Sequence, residues 1–325
     1  MQTPKHELAI VIPAFKARFF AQTLQSLNVQ TDNRFRIYVG DDASPEDIAA
    51  IVGASSLPRN QIEYHRFSLN LGSSNLVEHW KRCVELTTEP WIWLFSDDDI
   101  AEPTCVEEFY RSLSATETKY NLYRFDCIPI DRNGSFLKER PIHIPEQGGW
   151  DFIMGRLART FQSTMQEVVF RRSTYLEIGG FPSFPKAWHA DDAFIFKMCI
   201  GTPMRKVDRA RVYWRSSGIN ISSPNVPGLG SEKLQATMEF TEWLLAEHSR
   251  QPKGFNAPCR STLLSATRDW AEHRACVDVT GTVALTTIVR FSSFYLRRWG
   301  KGGFRILFNL LRSNLRHGMR SAESR

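Results

Sequence analysis

The chain has 325 residues, with 41 Lys and Arg against 35 Asp and Glu, a formal net charge of +6. That length suits one large domain or two modest ones, and such a chain buries roughly three-quarters of the surface its unfolded form exposes. Apolar residues at 42% and charged residues at 23% exclude a disordered or fibrous chain, and no apolar run approaches the ~20 residues of a membrane-spanning helix.

Met1 to Glu7 is polar and lacks the apolar core of a signal peptide, so the expected location is the cytosol. Six cysteines lie far apart with no Cys-x-x-Cys spacing, which points to reduced, mostly buried thiols rather than a zinc site or redox pair. The charge is uneven. Residues 289–325 hold nine Lys or Arg and one acid, a net +8, which leaves the remainder at −2. Such a tail suits an acidic partner, either anionic lipid or nucleic acid.

In chain order, Leu8–Ile12 is an apolar run that ends at Pro13. Residues 17–29 carry helical apolar spacing through Phe20, Leu24 and Leu27. Phe35–Val39 reads as a strand ending at Gly40-Asp41-Asp42, and Ser44-Pro45-Glu46-Asp47 opens a short helix. Ile62–Phe67 is a third strand, 73–86 a helix, and Trp91–Phe95 a fully apolar fourth strand. This alternation predicts a parallel sheet flanked by helices. Further on, 121–130 and 168–171 read as strands, 150–157 and 192–200 as helices, and 204–214 as one or two strands. Residues 222–230 form the best linker, with helical patterning after it.

The four early strands end at Pro13-Ala14-Phe15, Asp41-Asp42, the 68–72 loop and Ser96-Asp97-Asp98-Asp99. In a parallel sheet those ends share one edge, and ligands of open α/β sheets bind at that edge. Three adjacent carboxylates repel one another unless a cation or a ring of donors neutralises them. Mg²⁺ or Mn²⁺ suits such oxygen ligands when a diphosphate completes the shell. A solvated acidic turn capping the next helix is the bland alternative.

These motifs resemble glycosyltransferase family 2, the inverting GT-A enzymes that use nucleotide-sugar donors. The resemblance covers residues 7–222. IVIPAFK at 10–16 is similar to the family's opening strand and donor turn, VGDDASPED at 39–47 to its Asp-Asp-x-Ser segment, and NLG at 70–72 to its nucleotide loop. FSDDDIAEP at 95–103 is similar to its Asp-x-Asp segment, GGF at 179–181 with ADD at 190–192 to the acceptor loop and catalytic acids, and RSSGINIS at 215–222 to its late Arg-x-His segment. Ser96 stands where the first Asp of Asp-x-Asp is usual, Ser217 where the His is usual and Lys16 where an Asn is usual.

The resemblance implies a GT-A catalytic domain over 1–222, with a nucleotide-sugar half to about 103 and an acceptor half beyond it, then a helical region over 223–325. It implies donor contacts from Pro13, Ala14, Phe15, Asp42, Asn70, Gly72 and Asp97, and a divalent metal, Mn²⁺ or Mg²⁺, on Asp98. Asp192, beside Asp191, becomes the general base, and Gly180, Phe181 and Trp188 become acceptor contacts. The expected reaction is transfer of a sugar to an acceptor hydroxyl, in surface polysaccharide or glycolipid assembly. The alternative for Asp191-Asp192 is a cap with a first-turn acid on the helix that follows. His189 could touch donor phosphate or be incidental, and Trp150, Trp188 and Trp214 could stack on sugar or pack in the core.

In the tail, Phe304, Leu307, Phe308, Leu311 and Leu315 share a helical stripe opposite Arg305, Asn309, Arg312 and Arg316. A basic amphipathic helix of this form lies in a headgroup layer, so peripheral attachment of 289–320 to an anionic membrane is expected, with docking onto the catalytic domain as the alternative. Two other functions compete. A nucleotidyltransferase would need a Gly- and Arg-rich phosphate loop after the first strand, which Pro13-Ala14-Phe15-Lys16 is not. A non-catalytic sugar- or nucleic-acid-binding protein on a degenerate GT-A fold is the second. No nucleic-acid reader motif occurs, so nucleic acid is not the expected partner.

Overall fold

The computed structural model describes residues 7–218, 229–251, 256–277, 283, 285–300, 304–306, 308 and 310–312. The elements run β1 (Leu8–Ala14), α1 (Phe20–Asn28), β2 (Phe35–Asp41), α2 (Ile48–Ala54), β3 (Ile62–Arg66), α3 (Leu76–Val84), β4 (Trp91–Leu94), β5 (Ile100–Ala101), α4 (Cys105–Ala115) and β6 (Leu122–Ile130). They continue through β7 (Glu146–Gln147), α5 (Gly149–Ala158), β8 (Val168–Arg171), α6 (Arg172–Glu177), α7 (Ala190–Met198) and β9 (Met204–Arg215) to α8 (Gly230–Arg250), α9 (Arg260–Val277) and α10 (Leu285–Trp299).

The chain divides into two compact units. The first comprises 1–149, 161–182 and 194–217; the second comprises 150–160, 183–193 and 218–325. The first holds one sheet in the order β3-β2-β1-β4-β8-β6-β9-β5, with β7 paired to β9. β1, β2, β3 and β4 are mutually parallel, as the strand-helix alternation predicts. β8 runs antiparallel to both β4 and β6, so the sheet becomes mixed beyond β4.

β1 up to Ile12 and all of β4 are buried, which is why they read as unbroken apolar runs rather than alternating ones. Leu8, Ile10, Ile12, Phe35, Ile37, Trp91, Trp93, Phe109 and Phe125 belong to the core of this unit. The helix after β2 starts later than the Ser44-Pro45 signal implies. Asp47 is its cap, accepting from the Ala50 amide at 2.9 Å. Ser44 instead donates its hydroxyl to the Phe15 carbonyl at 2.6 Å, tying the end of β2 to the turn after β1. Region 204–215 is a single twelve-residue strand, with a register shift on its partner between Arg124 and Asp126.

The second unit is helical, with a core that includes Leu234, Met238, Ala271, Phe291, Tyr295, Ile306 and Leu310. Ile306 and Leu310 dock into it, whereas Phe304, Phe308 and Leu311 of the predicted stripe are 59%, 65% and 40% exposed. Leu307, Asn309, Leu315, Arg316 and residues 219–228 lie outside the described residues. No described helix is long and apolar enough to cross a membrane. The described cysteines Cys83, Cys105, Cys127, Cys199 and Cys259 are free, and the first four are buried.

Candidate active site

The donor residues named from sequence converge at one edge of the first unit. β1 and β2 pair in parallel to the register Pro13↔Gly40 and Ala14↔Asp41, and β4 pairs beside β1, so their carboxyl ends emerge together. The Asp97 carboxylate, just past β4, accepts from the amides of Phe15 at 2.9 Å and Lys16 at 2.8 Å. Asp42 donates its amide to the Ala14 carbonyl at 2.9 Å. Its carboxylate accepts from the amides of Leu71 at 2.9 Å and Gly72 at 2.7 Å and from the Arg82 guanidinium, with His79 at 3.4 Å. Asp42 therefore fastens the 69–72 loop. Gly72 permits this approach, because a Cβ there would meet Asp42 Oδ2 at 2.6 Å. Asn70 turns the loop by accepting from the Ser73 amide at 2.9 Å.

The three consecutive acids are electrostatically expensive. Burial raises the Asp97 carboxyl despite its two amide bonds. Burial and then the Asp97 charge push Asp98 up to about 7, and burial and the Asp98 charge push Asp99 well above the ordinary carboxylate value. Arg215 holds the turn from beneath. Its amide donates to Asp99 Oδ1 at 2.7 Å and its Nε to the Asp98 carbonyl at 2.8 Å. Asp99 Oδ2 is buried without a hydrogen-bond partner among the described residues. Those residues contain no group of three His, Cys, Asp or Glu side chains fit to hold a metal unaided. A crowded carboxylate pocket with an orphaned oxygen does fit a cation that draws its remaining ligands from a diphosphate.

Asp191 and Asp192 open α7 and belong to the second unit. Asp192 is 2% exposed. The Arg156 fork from α5 donates Nε to its Oδ1 at 2.6 Å and Nη2 to its Oδ2 at 3.2 Å. His189 Nδ1 lies 3.6 Å from Oδ2. Burial alone would raise this carboxyl. The Arg156 charge and the His189 contact more than offset it and leave it at about 2. His189 is buried, reaches the Thr237 hydroxyl at 3.1 Å and stacks on Phe240, so it is neither incidental nor solvent-facing.

The remaining acceptor candidates separate. Gly180 has φ +78 and a Cβ there would press on the Tyr175 ring at 3.2 Å, so the turn demands glycine. Phe181 is buried against Phe170, Tyr175 and Phe194, which commits its ring to the core of the first unit. Trp188 belongs to the second unit with Asp192. Trp150 packs edge-on to His248, and Trp214 lies against the sheet core with Arg140 over its face. Sequence reasoning missed Arg82, Arg156 and Arg215. Arg156 sits 36 positions before its partner, and no spacing links the two. Arg215 is the Arg of the late segment at 215–222, and nothing in that segment's spacing links it to the acids at 97–99.

The glycosyl transferase family 2 model matches residues 9–176, which contain the donor-edge segments from Pro13 to Asp99 but not Arg215. No curated protein matches the chain. Among solved structures, S. aureus TarS 1–349 is similar with a TM-score of 0.65 at 11% identity, covering 95% of this chain and 90% of that one. A longer TarS structure has a TM-score of 0.63 at 12% identity, and this chain spans only 54% of it. TarS 1–349 in complex with UDP-GlcNAc has a TM-score of 0.59 at 11% identity. At such identities the likeness is one of fold, and it extends over 95% of the chain, beyond the segment that the family model matches. On the matched segment, more than half its length, the chain belongs to glycosyl transferase family 2.

Proposed function

We propose that this glycosyltransferase takes a sugar from a nucleoside diphosphate donor and passes it, with inversion, to an acceptor hydroxyl in a surface polysaccharide or glycolipid. The observation that carries the reading is the shared edge of β1, β2 and β4, where Asp42 and Asp97 fix two loops by their backbone amides and Asp98 stands buried between charged neighbours. The turn 13–15, Asp97 and the 70–72 loop then seat the nucleotide. The TarS complex with UDP-GlcNAc supports a sugar nucleotide as donor class. Asp98 is the residue that would hold Mn²⁺ or Mg²⁺, which when bound supplies positive charge against the leaving diphosphate.

Asp192 is the proton acceptor, with Asp191 beside it at the helix start. The acceptor oxygen forms its bond to the anomeric carbon as the bond to the diphosphate breaks, and the hydroxyl proton passes to Asp192. One displacement inverts the centre, and one base suffices. Asp192→Asn removes that base and should lower acceptor-dependent nucleoside diphosphate release by about 10²–10⁴-fold. Donor affinity, read by calorimetry, should stay near wild type. Normal transfer by this variant would refute the assignment.

The same reading includes peripheral attachment to an anionic membrane through 289–320. Phe304, Phe308 and Leu311 are exposed together with Arg305, which pairs with Glu272, and Arg312, an apolar face with cations beside it.

A further inference from the structure

The second unit carries an open groove of about 640 Å³ between α8 and α10. That volume lies within the range of ~300–1,000 Å³ usual for small-molecule sites. No donor-edge residue lines it, and neither does Asp191 or Asp192. Two helical faces form its walls. Gln235, Met238, Glu239 and Glu242 fall at i, i+3, i+4 and i+7 on α8. Arg290, Phe294, Arg297 and Arg298 fall at i, i+4, i+7 and i+8 on α10.

The floor is apolar and fixed, since Met238 belongs to the core of this unit and Phe294 packs against that core. The charges above it are only partly matched. Arg298 donates Nη2 to Glu242 Oε1 at 2.9 Å and lies 4.7 Å from the Phe294 centroid. Glu239 accepts from the Gln235 side-chain amide at 2.8 Å, a neutral partner that leaves its charge in place. Arg290 and Arg297 are exposed and have no ion pair or hydrogen bond among the described residues. With three arginines and two glutamates the groove carries a net +1.

That balance selects the ligand. One phosphodiester on Arg290 and Arg297 neutralises the groove. A polyanion such as nucleic acid would run its next charges against Glu239 and Glu242. An acid on the wall facing the arginines instead favours a ligand that brings hydrogen-bond donors beside its single negative charge. The groove also opens the segment 289–320 read above as facing a bilayer. Val289, next to Arg290, is 54% exposed, and Phe304, Phe308 and Leu311 follow it, exposed as well.

We propose that the α8–α10 groove binds the headgroup of one phospholipid, a phosphodiester carrying free hydroxyls, as in phosphatidylglycerol. The inference rests on the membrane reading of 289–320 and names the lipid that this face selects. Arg290 and Arg297 hold the phosphate. The headgroup hydroxyls donate to Glu239, and the apolar floor of Met238 and Phe294 takes the diacylglycerol end.

The test uses full-length protein and dihexanoyl phosphatidylglycerol below its micelle concentration, with binding read by calorimetry. Binding should saturate at one lipid per chain. Arg290→Gln with Arg297→Gln should weaken it tenfold or more, and the corresponding pair of Lys substitutions should recover most of the loss. These side chains are exposed and unpaired, so the variants should unfold at the wild-type temperature. Dihexanoyl phosphatidylmethanol has the same charge without the hydroxyls and should bind several-fold more weakly, a difference that Glu239→Ala should erase. Glycerophosphoglycerol, the same headgroup without acyl chains, should bind at least tenfold more weakly than the lipid. Unchanged binding in the double Gln variant overturns the groove as the site. Equal binding of glycerophosphoglycerol, of dihexanoyl phosphatidylcholine or of a DNA oligonucleotide overturns the lipid assignment.

Vesicle flotation separates this proposal from the reading beneath it. Replacing Phe304, Phe308 and Leu311 by Ser should reduce flotation and leave binding of the short-chain lipid unchanged, because none of the three lines the groove. Wild-type protein that floats with phosphatidylglycerol vesicles but does not bind the monomeric lipid overturns the groove and leaves the membrane reading intact. Protein that binds the monomer but does not float overturns the membrane reading and leaves the groove.

Discussion

Besides the Arg82–Asp42 pair of the donor edge, each unit contains a buried arginine–carboxylate pair with a histidine at its side, Arg124–Glu167 in the first and Arg156–Asp192 in the second, and these two are built for different ends. In the first unit Arg124 and Glu167 lie 2.9 Å apart with side chains 1% and 0% exposed. Glu167 also accepts from the Ser163 hydroxyl and from the Thr164 amide at 3.1 Å, with His143 at 3.7 Å. In the second unit Arg156 and Asp192 approach to 2.6 Å, but the arginine side chain keeps 15% exposure. The sealed pair has no route to a ligand and serves the fold. The other opens on its arginine side, which a substrate can reach. Burial and pairing alone do not mark a catalytic acid. Access to the counter-charge distinguishes the two.

The sharpest way to break this contrast is Glu167→Gln. It leaves the Arg124 charge buried and uncompensated, which should cost about 3–5 kcal/mol of unfolding free energy in denaturant titrations. The pH dependence has a definite sign. Burial would raise Glu167, but Arg124, His143 and Ser163 outweigh it and hold the folded-state carboxyl well below its ordinary value of 4.5. Its contribution is therefore complete above that value and is lost as pH falls below it. A wild-type protein equally stable at pH 3 and pH 7, or a variant within ~0.5 kcal/mol of wild type, would remove the structural role.

The donor edge was legible because each of its parts is local. Strand, turn and acid are contiguous in 10–16, 39–47 and 91–99, and parallel pairing alone brings the strand ends together. What the residues then do was not legible. Asp42 reads as a ligand contact, yet its oxygens are taken by the 71–72 amides and Arg82, which no motif predicts. The Arg156–Asp192 cluster was half legible. ADD at 190–192 was visible, whereas its partner Arg156 comes from a separate helix and meets it only in the folded chain. The tail pattern located the apolar stripe but not the contact that docks it, since Ile306 and Leu310 lie off that stripe.

Asp42→Asn tests the fixed character of the donor edge. An amide nitrogen facing the Gly72 N–H gives two donors with no acceptor, so the loop loosens. Donor affinity should fall about tenfold, the equivalent of the ~1.4 kcal/mol expected of one lost charge-assisted bond. Gly72→Ala should act similarly, because its Cβ would occupy the space of Asp42 Oδ2. Calorimetry with the donor nucleotide reads both. Unchanged affinity in the pair would mean that the loop holds its shape by other contacts.

Arg156→Gln examines the open pair. With the guanidinium gone, burial dominates and the Asp192 carboxyl rises from about 2. The charged and titratable groups that face it are then His189 and its neighbour Asp191. Wild-type transfer should be flat with respect to Asp192 between pH 5 and 8. The variant should gain an acid limb, losing several-fold activity as pH drops through that range, since protonated Asp192 cannot accept a proton. A purely structural arginine would lower activity evenly at every pH.

The smallest effect is expected at the tail. Phe304, Phe308 and Leu311 face outward, and burying such side chains in a headgroup layer gains roughly 1.5–3 kcal/mol each at most, less where insertion is shallow. The arginines add attraction only to anionic lipid, and salt screens it within a Debye length of ~10 Å at 0.1 M. Wild-type protein should therefore float with phosphatidylglycerol vesicles at low salt, less at high salt, and not with phosphatidylcholine alone. Replacing Phe304, Phe308 and Leu311 together by Ser should reduce flotation several-fold without altering the second unit's core, because Ile306 and Leu310 supply the docking contact. Phosphatidylcholine binding equal to that of the anionic vesicles would show that the cations beside this face do not select the surface it meets, and the charge asymmetry of the chain would then need another partner.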